Sequence, residues 1–66
     1  MTARDSARHV LKFMSDSNSI SHELLLKKWQ TAGLPAPDVH SGLRLLVEME
    51  TISVEKTGET VKYVLT

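Results

Sequence analysis

The spacing of apolar residues changes once in this chain, at Glu50-Thr51, and that change limits the fold more than any other feature. Before it, three stretches repeat at the period of a helix; after it, apolar and polar residues alternate at the period of a strand. In the first stretch Ala3, Ala7, Val10, Leu11 and Met14 follow one another at spacings of four, three, one and three. They share one helical face, with Thr2 as cap and Asp5 placed near the positive end of the dipole. The polar cluster Ser15-Asp16-Ser17-Asn18-Ser19 ends this helix, which is expected over about 3–15. Ile20 stands alone after the turn, as a one- or two-residue strand or as an anchor preceding the next helix.

Ser21 is a suitable cap for a second helix, expected over 22–32, with Glu23 in its first turn. Leu25, Leu26 and Trp29 share its core face, and Leu24 points elsewhere. Ala32 is followed by Gly33 and then by Pro35 and Pro37, a strong stop signal. The connector Gly33–Pro37 is stiff, with Leu34 turned inward. The third helix is expected over 37–50, starting at Pro37 and Asp38. Val39, Leu43, Leu46 and Val47 line its core face. Two strands, 52–56 and 60–65, then flank Lys56-Thr57-Gly58-Glu59. With Thr57-Gly58 as the loop, Val54 faces Val61 and Ile52 faces Tyr63, all on one side. The expected core joins Leu11, Met14, Leu25, Trp29, Val39, Leu43 and Leu46, closed by Ile52, Val54, Val61 and Tyr63.

At 66 residues the chain is expected to form one domain, 1–66. Eight basic and eight acidic residues cancel, which argues against a strong non-specific nucleic-acid binder. No cysteine is present, which excludes a disulfide scaffold, a cysteine zinc module and a thiol nucleophile. The longest apolar runs have three residues, and Arg4, Asp5, Arg8 and Lys12 break up any leader at the start. A soluble cytoplasmic domain is the expectation. His9, His22 and His40 lie on three different helices without carboxylates at ligand or triad spacing, so neither catalysis nor a metal or cofactor is expected.

Helix, short extended piece, helix, turn, helix and hairpin: this order resembles the winged helix-turn-helix family over nearly the whole chain. Ile20-Ser21, Leu25 and Trp29 carry the resemblance in the second helix. Val39, Leu43 and Leu46 carry it in the third, and Glu50-Thr51-Ile52 lead into the wing. The connector Gly33–Pro37 departs from the family's tight turn, being longer and proline-stiffened. The resemblance implies an α+β fold with three helices and a C-terminal hairpin wing. It also implies that the third helix enters the major groove of double-stranded DNA, as in small regulators of transcription. Pro37, His40, Ser41, Arg44 and Glu48 would then face outward, with Arg44 on guanine or phosphate and His40 and Ser41 as hydrogen-bond donors. Lys56 and Thr57 at the wing tip, and Lys62 beside them, would add contacts.

Charge runs against that role. From Leu34 to Thr66 there are three basic and five acidic residues, while the first 33 carry five basic and three acidic. Arg4, Arg8 and Lys12 form a stripe on the first helix, and Lys27 and Lys28 add to it on the second. Leu24, Leu45 and Met49 fall off the core faces of their helices. Stray apolar side chains of this kind mark a protein contact, so a homodimer or adaptor module that does not bind DNA is the alternative expectation.

Overall fold

The computed structural model describes residues 1–15 and 17–66. Asp16, part of the polar cluster expected to end the first helix, lies outside the described residues. The elements are α1 (Ala3–Met14), β1 (Ser19–Ser21), α2 (His22–Thr31), α3 (Asp38–Glu48), β2 (Ile52–Thr57) and β3 (Thr60–Leu65). The strands form an antiparallel sheet in the order β1-β3-β2. Among the described residues this is an α+β arrangement of three helices and three strands, compatible with the layout the resemblance implies. Helices α1, α2 and α3 stop one, one and two residues short of the expected ends, and α3 starts one residue later than expected.

Local chemistry sets the helix ends. The Thr2 Oγ1 accepts from the Asp5 amide at 3.2 Å and the Asp5 carboxylate accepts from the Thr2 amide at 3.4 Å, a reciprocal capping box. Those bonds to Thr2 hold the Asp5 carboxyl below its ordinary value. The Ser21 hydroxyl accepts from the Leu24 amide at 3.2 Å and caps α2. Helices α2 and α3 end in the same Schellman geometry. Leu34 N–H donates to Trp29 O at 3.2 Å and Gly33 N–H to Gln30 O at 2.9 Å; Thr51 N–H donates to Leu46 O at 2.9 Å and Glu50 N–H to Val47 O at 3.0 Å. The pivot residue has a positive φ in both, 74° at Gly33 and 58° at Glu50.

The hairpin register differs from expectation by two residues. Val54 pairs with Tyr63, Ile52 with Leu65 and Thr57 with Thr60, so the loop is Gly58-Glu59. A two-residue hairpin loop needs a positive φ at its first position. Gly58 supplies it at 60°, where the β-branched Thr57 would be strained. A shift of two preserves the side each residue faces, so Ile52, Val54, Val61 and Tyr63 still share a face.

Helices α1 and α3 meet at Gly42. A β-carbon at this position would lie 2.7 Å from the Ser6 carbonyl carbon and 2.8 Å from the Ala7 amide nitrogen. Only glycine lets the two backbones come this close, and Ser6 beneath it is fully buried. This contact turns the buried stripe of α3 toward Val39, Gly42, Leu43 and Leu46. Val47, expected in the core, is therefore 42% exposed, and Leu45, expected outside, packs partly buried against the core. Three further expectations are corrected. Leu26 is exposed because Leu25 and Trp29 already fill the α2 contact, Val54 is exposed on β2, where Ile52 alone is buried, and Leu11 packs only partly buried against the core. Ile20 is buried in β1, paired with Tyr63.

Candidate nucleic-acid and protein interface

The position of α3 depends on the connector before it. The indole Nε1–H of the buried Trp29 donates to Pro35 O at 2.7 Å, and Leu34 packs against the core from the same connector. The proline-stiffened segment is thereby tied to α2, and α3 starts from a fixed point.

On α3 the residues that avoid the core are His40, Ser41, Arg44, Val47 and Glu48, all exposed, with Pro37 exposed just before them. At about 100° per residue these positions fall within one sector of the helix. The structure thus brings together Pro37, His40, Ser41 and Arg44, and adds Val47 to them. Arg44 reaches Glu48 at 3.5 Å, with side chains 84% and 64% exposed. An exposed i,i+4 pair of this kind holds the guanidinium only weakly. Asp38 sits in the first turn, and no side chain caps that end.

The wing residues divide. Lys56 pairs with Val61 across the hairpin and Lys62 pairs with Glu55, so alternation along the strands puts the two lysines on opposite faces of the sheet. Lys56 shares the face of Ile52 and Tyr63, which pack on the helices. Lys62 shares the other face with Ser53 and Glu55, and Ser21 is its partner on β1. A duplex lying along one face meets one of these lysines, not both. Thr57 closes the loop and is exposed.

The three apolar residues expected to bind protein do not form one patch. Leu24 is 45% exposed on α2 and Met49 is 63% exposed at the end of α3, while Leu45 is partly buried against the core. Leu24 borders a shallow depression with Phe13, Lys27, Lys28, Thr31 and Ala32, which neither Leu45 nor Met49 lines. The sequence singled out Leu24 and the pair Lys27 and Lys28 separately, and packing brings them together with Phe13.

The histidines have separate surroundings. The His9 ring lies 6.5 Å from Phe13 and 6.0 Å edge-on to Trp29, and Phe13 and Trp29 are 6.2 Å apart. His22 Nδ1 is 2.7 Å from the Tyr63 hydroxyl, and burial raises the pKa of that phenol. His40 is exposed on α3. Among the described residues no three of His, Asp or Glu converge as a metal site, and no helix is long and apolar enough to cross a membrane. Comparison with family models, with characterised proteins and with solved structures found no match.

Proposed function

We propose that this chain is a small winged helix-turn-helix protein that binds double-stranded DNA as a non-enzymatic cytoplasmic regulator, with no cofactor. One observation carries the reading: the outward sector of α3 is exposed, and it presents the donors His40, Ser41 and Arg44. A helix offering such groups in a major groove reads bases through Arg44 and positions itself through His40 and Ser41. Lys56 in the wing meets phosphate.

The small number of cations sets the expected salt dependence. If Arg44, Lys56 and Lys62 each neutralise one phosphate, the log–log slope of affinity against salt is about −2.7; with Lys62 turned away it is about −1.8. The test is an amide NMR titration with a mixed-sequence duplex at two salt concentrations. Salt-sensitive shifts at Ser41, Arg44 and Lys56 are expected, and Arg44→Ala abolishes them. An unchanged spectrum at low salt refutes DNA binding.

A second reading, a protein-interaction module, is favoured by a different observation. Leu24 and Met49, with Leu26, Val47 and Val54, leave large apolar side chains in water on a chain of only 66 residues. Leu24→Asp and Met49→Asp leave DNA binding intact and abolish association if this second function is the true one.

A further inference from the structure

The end of α3 carries two carboxylates around an exposed apolar tip: Glu48, which pairs with Arg44 one turn back at 3.5 Å, and Glu50. Met49 is 63% exposed and stands between Glu48 and Glu50. The last turn of α3 contains no basic residue, so nothing in it offsets the partial negative charge of the helix C-terminus. Glu50 also holds a left-handed conformation, φ 58°, at the position where α2 uses glycine. The helix end therefore presents a carboxylate beside Met49, where α2 has no side chain.

The depression on α2 has the complementary character. Phe13, Leu24 and Ala32 give it apolar walls, and Lys27 and Lys28 supply cations at its rim. Glu48, Met49 and Glu50 do not border it, so a chain does not fill its own depression with its own knob. We infer that the Met49 knob of one copy docks into the Leu24 depression of a second copy, with Glu48 and Glu50 against Lys27 and Lys28. Charge complementarity selects this occupant, since the basic half of the chain carries the depression and the acidic half carries the knob.

The contact joins two different surfaces. Each added copy therefore leaves one knob and one depression free, and the assembly grows head to tail instead of closing as a dimer. Screening of the lysine–glutamate pairs weakens it as salt rises. The contact rests on the protein-interaction reading of Leu24 and Met49 and not on DNA binding: His40, Ser41, Arg44 and Lys56 are not docking groups, and Glu48 touches that sector only through its pair with Arg44.

The experiment is sedimentation of the full chain without DNA, at concentrations up to about 1 mM, the range of weak association. The mass of the wild-type chain should rise steadily with concentration and fall back in high salt. Leu24→Asp/Lys27→Glu removes the depression and Met49→Asp removes the knob, so each variant alone stays monomeric. Mixed together they should form a two-chain species that grows no further, because one keeps its knob and the other its depression. The charge swap Lys27→Glu with Glu50→Lys in one chain gives the same test without touching an apolar residue, and should regain association that Lys27→Glu alone loses by about tenfold or more. Amide NMR dispersion confirms that every variant is folded. A monomeric wild type at the highest concentration overturns the proposal. So do variants that associate like wild type, or a mixture that stays monomeric. A closed wild-type dimer also overturns it, and directs attention to the free edge of β2.

Discussion

Helix α3 has two faces with opposite tolerances. Toward α1, Gly42 sits so close to Ser6 and Ala7 that a single added carbon would fall 2.7 to 2.8 Å from their atoms. Away from α1, Arg44 is 84% exposed and pairs with Glu48 across one exposed turn. One face is determined by the distance between two backbones, the other by nothing in the fold. Packing and solvent exposure therefore reside on separate sides of one helix, and its eleven residues divide them almost without overlap.

The sharpest way to break the packed face is Gly42→Ala. Two of the three nearest atoms are backbone, so the helices must separate. Overpacking costs about 1–3 kcal/mol, which exceeds the gain of about 1 kcal/mol from replacing glycine inside a helix. Urea denaturation should show the loss, and adding Ser6→Gly should restore only part of it, because the backbone contacts remain. At the start of α3, Trp29→Phe removes the indole donor from Pro35 O and should cost about 1–2 kcal/mol, with amide shifts spreading into the Gly33–Pro37 connector.

At the other end of α3, Glu50→Gly relieves a left-handed side chain. The relief of about 1–2 kcal/mol is partly offset by the greater freedom of glycine in the unfolded chain, about 0.5–1 kcal/mol. A net stabilisation of about 0.5–1 kcal/mol in thermal or chemical unfolding is expected, together with weaker self-association. A loss of stability would show that the Glu50 side chain is held by the fold itself. The mildest change belongs to the outward face. Arg44→Ala should change stability by less than about 0.5 kcal/mol while removing DNA binding. A large destabilisation there would erase the contrast between the two faces.

The order of elements was legible because helix caps, stop signals and period depend on residues within a few positions of one another. Thr2 with Asp5, Ser21, Gly33 and the alternation after Thr51 all act at that range, and the observed elements follow them. The outward positions Pro37, His40, Ser41 and Arg44 were legible for the same reason, since they follow from helical spacing once α3 is placed. The site was less legible where two segments must meet. Val47 and Leu45 exchanged burial because Gly42, which has no side chain to count, decides how α3 rolls on α1. An isolated glycine inside a helical pattern was the available signal. Lys56 and Lys62 look adjacent along the hairpin, yet alternation places them on opposite faces.

Where each helix and strand begins and ends, to within a residue or two, and which half carries positive charge, were set by the amino-acid sequence without help from packing. Those properties arise from hydrogen bonds and charges along the local chain. The hairpin register followed from the left-handed Gly58 in the turn, whereas the roll of α3 and the choice of apolar side chains left in water came from tertiary packing. Both depend on partners outside their own segment: Ser6 beneath Gly42, and the connector that Trp29 holds through Pro35 O ahead of α3. Burial is a property of two surfaces, and the pattern within one segment specifies only its own half.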